Sequence, residues 1–200
     1  MSKKYKLVLA TKNPHKIEEI KSILGDGIIY LNLGGFPGLE IKETGRALLQ
    51  NSVLKAEFAY KLCSIPSLAD DSGLFIDALN GEPGVFSSRY ARNDNDRIIR
   101  VLKNLRNKKV RTATFKAVFV FYYQLNKYEV FEGICPGRIA LEPKGKNGFG
   151  YDPIFVPKGY NKSFAELGPK VKNRISHRAL ALKKFKVYLR MKSKQLPDIC

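Results

Sequence analysis

Residues 111–123, RTATFKAVFVFYY, constrain this chain more than any other segment. β-Branched and aromatic types dominate the run, and no charged residue interrupts it between Lys116 and Tyr123. A strand that apolar is buried over at least part of both faces, so the sheet that holds it needs cover on both sides. Residues 128–140, YEVFEGICPGRIA, read as its neighbour, with Pro136 bending that strand or placing it at an edge.

The remaining segments alternate short apolar strands with helices. Leu7, Val8 and Leu9 form a buried-type strand. Asn13-Pro14 is a helix start, Ile17, Ile20 and Leu24 recur at helical spacing, and Gly25 is the stop. Residues 28–32 read as a second strand and LGGFPGLE, 33–40, as a loop. A helix is expected from Thr44 to about Leu62, with Leu49, Val53, Ala56 and Tyr60 along one face. SLADD leads into a turn at Ser72-Gly73, LFIDAL resumes an extended run, and NGEPG closes it. Residues 95–105 read as another helix and 145–153 as a glycine-rich loop. One closing helix carries Ile175, Ala179, Leu182, Phe185 and Leu189 on one face. With no internal repeat or linker, the expectation is a single α/β domain over residues 1–200.

Thirty-six Lys plus Arg stand against eighteen Asp plus Glu, a net charge of +18. Hydrophobic residues at 44 % of the chain argue against disorder despite that charge. No apolar run approaches the roughly 18 residues of a membrane span. Cys63, Cys135 and Cys200 are an odd set without paired spacing, which excludes a zinc ribbon or a disulfide framework. A soluble, cytoplasmic protein with no membrane partner is expected. The charge implies an anionic partner without choosing among nucleic acid, anionic lipid and a phosphate-rich small molecule.

Four clusters sit at joints between elements. Thr11, Asn13 and Lys16 stand where the first strand enters its helix, a place that suits phosphate, although Asn13 is equally an ordinary N-cap. Asp70-Asp71-Ser72-Gly73 can present a carboxylate to magnesium or can be only a turn, and Glu43 is either a second ligand or a helix-dipole residue. In Gly148-Phe149-Gly150-Tyr151-Asp152, the flanking glycines leave Phe149 open to stacking on a planar base, or its ring packs inward. Lys172 with Ser176-His177-Arg178 supplies donors for a carbonyl or phosphate, while a lone histidine near a helix start is more often a cap or core residue.

Taken in chain order, LATKNPHKIEEI, ETG with NSVLKA, LADDSGLFIDALNGEPGVFSSRYA, GRI, GFGYDPIF, SFAEL and ISHRALAL resemble the inosine triphosphate pyrophosphatase family, the Ham1-like or non-canonical purine NTP pyrophosphatases. That resemblance implies an elongated mixed β-sheet with flanking helices, in two lobes around a deep nucleotide cleft. It implies an enzyme that hydrolyses ITP, dITP and XTP to the nucleoside monophosphate and pyrophosphate, clearing deaminated purines from the nucleotide pool. Magnesium is the implied cofactor, with manganese as an alternative, and a homodimer the implied assembly. Asp71 matches the family's catalytic carboxylate, and Glu43 with Asp71 its metal-binding acids. Thr11, Lys12, Asn13, Pro14, His15 and Lys16 match its phosphate loop, Lys55 the lysine of its Asn-x-x-x-Lys helix, and Ser72 a substrate contact. Phe149, Gly150, Tyr151 and Asp152 match its base-binding strip, and Lys172, His177 and Arg178 its base-reading end. Asn51-Ser52 stands where the family more often has Asn-Ala, and Arg46-Ala47-Leu48 replaces a common Thr-Phe-type sequence, with effects expected on helix packing rather than on the acids. A nucleic-acid-binding module is the rival reading of the charge. Against it, the basic residues of the last helix, Lys183 to Lys194, read as a solvated face, so no specific nucleic acid is expected.

Overall fold

The computed structural model describes residues 5–33, 41 and 43–192. The elements run β1 (Tyr5–Leu9), α1 (Pro14–Leu24), β2 (Ile28–Asn32), α2 (Leu48–Cys63), β3 (Ser67–Ile76), β4 (Pro83–Gly84) and α3 (Asp94–Asn104), then β5 (Thr112–Gln124), β6 (Lys127–Ile139), β7 (Phe155–Pro157), α4 (Phe164–Ile175) and α5 (His177–Lys192). The sheet is mixed, in the order β2-β1-β3-β5-β6-β7 with β4 on β3. β1 lies parallel to β2 and β3, whereas β4 on β3 and β7 on β6 are antiparallel. No described helix is long and apolar enough to cross a membrane. Cys63 and Cys135 are free thiols, and Cys200 lies outside the described residues, as does most of the 33–40 loop.

The chain divides into two compact units, one holding residues up to Asp71, 117–132 and from Leu180, the other 72–116 and 133–179. In the first, successive strand residues go to opposite faces and both faces are covered. Leu7, Leu9, Leu68, Phe119 and Phe121 pack with Ile20 and Leu24 of α1 and Leu182 and Phe185 of α5. Val8, Ala69, Val120 and Tyr122 pack instead with Ala56 and Ala59 of α2. The two-faced burial read from residues 111–123 is thus the sorting of Phe119 and Phe121 from Val120 and Tyr122. In the second unit, Leu74, Ile76, Phe115, Ile139 and Phe155 pack with Ile98 and Val101 of α3 and Phe164 of α4.

Four local expectations are corrected. The Ser72-Gly73 turn is absent, because β3 runs unbroken from Ser67 to Ile76. Gly73 instead permits a close approach: a Cβ there would overlap the carbonyl of Gly84, while Ser87 Oγ accepts from Leu74 N at 2.8 Å and donates to Gly84 O at 2.6 Å. The extended run expected through LFIDAL stops at Ile76, and Asp77–Leu79 form a 3-10 turn ahead of the left-handed Asn80 and Gly81. α2 starts at Leu48 rather than Thr44, because two side chains from inside the helix turn back on the preceding amides: Gly45 N donates to Asn51 Oδ1 and Arg46 N to Gln50 Oε1, both at 2.8 Å. The single closing helix is two. Ile175 ends α4, Ser176 is extended, and its Oγ accepts from Ala179 N at 3.2 Å to start α5.

α1 opens with Asn13 ahead of Pro14, as read from the sequence, and α4 opens with a capping box between Ser163 and Glu166. Pro136 is exposed and stands where β6 begins to pair with β7, at Gly137.

The place of Gly73 in the strand is open to test. Gly73→Ala forces β3 and β4 apart and is expected to cost about 2 kcal/mol, lowering Tm by roughly 4–8 °C. A turn-type glycine with free space around it would tolerate the methyl, so an unchanged melting curve would exclude the close approach.

Candidate active site

The first unit gathers three carboxylates and two lysines at the centre of the sheet. Asp70 and Asp71 lie in mid-strand on β3, and both are buried. Lys16, on the first turn of α1, reaches Asp70 Oδ2 at 3.0 Å. Lys55, on α2, donates to Glu43 Oε1 at 2.6 Å and to the Asp70 carbonyl at 2.7 Å, and stands 3.8 Å from Asp71 Oδ1. Asn51, one turn before Lys55 on the same face of α2, donates to Asp71 Oδ2 at 2.8 Å. Burial pushes the Asp71 carboxyl above the usual carboxylate range and Glu43 adds to the rise, while Lys55, Asn51 and Lys16 pull it down.

At the β1–α1 joint Asn13 Oδ1 accepts from Lys16 N and Thr11 Oγ1 accepts from Asn13 N, each at 3.2 Å. Lys12, Pro14 and His15 are exposed on the same joint. Among the residues expected in the site, the structure brings Lys16, Glu43, Lys55 and Asp71 together. It adds two to which the expectation gave no role of their own, Asp70 and Asn51. Asn51 entered the expectation as the asparagine of the Asn-x-x-x-Lys helix without a role in the site, yet it holds Asp71 directly. Its i, i+4 spacing from Lys55 was the available signal. Ser52 does serve packing: it is fully buried and donates to the Val118 carbonyl of β5 at 2.8 Å.

The second cluster belongs to the other unit. Phe149 lies between Gly148 (φ 82°) and Gly150 (φ 62°), with Lys172 Nζ 4.4 Å and the Arg178 guanidinium 5.2 Å from its ring centroid. Asp152 is buried, pairs with Lys172 and accepts from Phe149 N at 2.9 Å. Arg178 donates to Ser72 Oγ at 2.8 Å. His177 is buried at the start of α5 with its ring stacked on Phe115, centroids 4.6 Å apart. The Tyr151 ring is buried, its hydroxyl donates to the Ser87 carbonyl at 2.9 Å, and burial raises its pKa. Phe149, Asp152, Lys172 and Arg178 therefore form one group, with His177 beside Phe115 and Tyr151 in the core beneath.

The first cluster is suited to a hard divalent cation by its donors, which are all carboxylate oxygens. Two lysines face three carboxylates there, so the cluster carries a net negative charge that a cation offsets and a polyphosphate alone does not. Among the described residues no group of three or more His, Cys, Asp or Glu is arranged to hold a metal ion by itself. One or two carboxylates with substrate phosphates and water are enough for magnesium.

Comparison with known proteins gives a consistent result. The family model described as "Ham1 family" matches residues 7–188. A dITP/XTP pyrophosphatase of Flavobacterium johnsoniae is 44 % identical over 181 residues, 88 % of this chain and 94 % of the relative. One of Aquifex aeolicus is 44 % identical over 192 residues, 90 % of this chain and 94 % of the relative. A solved structure of a HAM1 protein from Coxiella burnetii superposes with a TM-score of 0.86 at 41 % identity, covering 94 % of this chain and 99 % of that one.

The Lys172–Asp152 pair is enclosed enough to measure. Lys172→Met leaves a buried carboxylate without its cation and is expected to cost about 3 kcal/mol in denaturant unfolding. Lys172→Met with Asp152→Asn should recover most of that loss. Equal losses in the single and double variants would show that the pair is not coupled.

Proposed function

The chain belongs to the Ham1 family, and from that premise we propose that the β3 acid cluster works on the phosphates, and the Phe149 cluster on the base, of one nucleotide. The protein hydrolyses deaminated purine nucleoside triphosphates, ITP, dITP and XTP, to the monophosphate and pyrophosphate. The observation that carries the residue assignment is the excess of acid in the first cluster. A triphosphate brings about four negative charges near neutrality, and it meets three carboxylates whose lysines are already engaged.

Glu43 and Asp71 would hold magnesium, or manganese in its place. When bound, the ion supplies charge neutralisation at the phosphate oxygens. Asp71 orients and deprotonates the attacking water, its basicity sustained by burial and its direction by Asn51. Lys16 and Lys55 keep the acids compact and turn toward phosphate as it arrives. The N-terminus of α1, with Thr11 and Asn13 beside it, turns the positive end of its dipole toward a terminal phosphate. Pyrophosphate leaves as the bond from the α-phosphorus to its bridging oxygen breaks, the water oxygen staying on the monophosphate.

At the base end Phe149 stacks on the purine, and Lys172, His177 and Arg178 point donors at the 6-oxo group. Adenine puts an amino donor in that place and leaves those donors unpaired, which selects against ATP. This reading carries with it one working domain, a two-lobed nucleotide cleft, a homodimer and a cytoplasmic site of action on the nucleotide pool.

Pyrophosphate release from ITP with magnesium should fall at least about 100-fold in Asp71→Asn, and kcat/KM for ITP should exceed that for ATP by about 100-fold or more. Near wild-type turnover in the variant, or an ITP/ATP ratio near one, would defeat the assignment. Reaction in ¹⁸O-labelled water should place the label in the monophosphate. Label in pyrophosphate would move the attack to the β-phosphorus.

A further inference from the structure

We propose that Asp94, at the first turn of α3, is a positioning residue for the base platform, latching the Phe149 loop through the amide of Gly150. The inference rests on the reading of Phe149 as the surface on which the purine stacks.

The loop has a conformational problem of its own. Gly148 and Gly150 both hold positive φ, and around Gly150 nothing lies within 4 Å of where a Cβ would be. Glycines on either side of an aromatic ring lose more backbone entropy than other residues when fixed, and packing does not fix Gly150. Two carboxylates do the holding, one on each of two successive amides. Asp152 accepts from Phe149 N at 2.9 Å and is backed by Lys172. Asp94 Oδ2 accepts from Gly150 N at 2.6 Å, and its other oxygen is backed by Arg97 at 2.5 Å. Bonds from amides to ionised acceptors are the stronger kind. The two carboxylates come from separate elements, so the loop is pinned to α3 as well as to its own return.

Asp94 is not the only acid in that first turn, and the difference is informative. Asp96 also favours the helix dipole, and it faces Arg92 and the Asn93 cap. Asp94 instead spans 56 residues of sequence to reach the loop. A helix-dipole role is common to both, while contact with Gly150 belongs to Asp94.

The test compares Asp94→Ala, Asp94→Asn and Asp96→Ala with the unaltered protein, by amide hydrogen exchange and by ITP kinetics. In Asp94→Ala the Gly150 amide should exchange at least about tenfold faster, and KM for ITP should rise about tenfold with kcat within about twofold. Asp94→Asn keeps an oxygen acceptor and should restore most of both. Asp96→Ala should lose comparable helix stability with KM unmoved. Unchanged exchange at Gly150 in Asp94→Ala overturns the latch. Faster exchange without a KM change, or an equal KM rise in Asp96→Ala, overturns the positioning role. An unaltered protein that does not turn over ITP overturns the functional reading itself, an outcome separate from the exchange result.

Discussion

The first unit depends on the compensation of carboxylates buried in the middle of a strand. Asp70 and Asp71 are consecutive residues of β3, and such groups stay ionised indoors only when cations and hydrogen bonds meet them. One lysine, Lys55, meets Glu43, Asp71 and the Asp70 carbonyl together. Its helix must therefore be held in place. Ser52 ties α2 to the Val118 carbonyl of β5, and Ser67 of β3 donates to the Ala56 carbonyl of α2 at 2.6 Å. Both serines are fully buried, one turn of helix or less from Lys55 in the contacts they make. The apolar packing of Ala56 and Ala59 then sets the distance between helix and strand. Packing and electrostatics act on the same few residues.

Much of this was legible in the sequence where one residue type answers one local need. Asn13-Pro14 starts α1, and residues 112–124 form a strand whose centre is buried on both faces. The errors share a different cause: a residue serving a distant partner was read as serving its neighbours. Asp, Ser and Gly in succession are turn formers by local preference. Here Gly73 is needed by Gly84, eleven residues on, and the turn is not made. Thr44 is a reasonable cap, yet Asn51 and Gln50 satisfy the amides ahead of α2 from within it. The break at Ser176 leaves no mark in the spacing of Ile175, Ala179 and Leu182, because that spacing is continuous through the cap.

The candidate site divides in the same way. Glu43, Lys55 and Asp71 could be matched one by one to a known pattern. The hydrogen bond from Asn51 to Asp71, and that from Gly150 to Asp94, join residues 20 and 56 apart and have no local signature. Tyr151 shows the converse. It sits in a recognisable strip, while its ring fills the core and its hydroxyl is spent on Ser87.

The charge of +18 changes meaning once each cation is placed. Lys16, Lys55 and Lys172 all face carboxylates, so the basic residues of the site are largely neutralised before any substrate arrives. The wider excess lies elsewhere, as on α5, where Lys183 and Lys184 are exposed while Leu182 and Phe185 are buried. Net charge therefore acts as long-range attraction for anions rather than as the grip on one. The grip is set by local balance, and the two clusters differ in its sign. Around β3, acid exceeds base, a condition that favours a divalent cation between protein and polyphosphate. Around Phe149, Lys172, Arg178 and Arg97 stand against Asp152 and Asp94, leaving donors in excess. Donor excess favours an accepting atom, and at position 6 of a purine an oxo group accepts where an amino group donates.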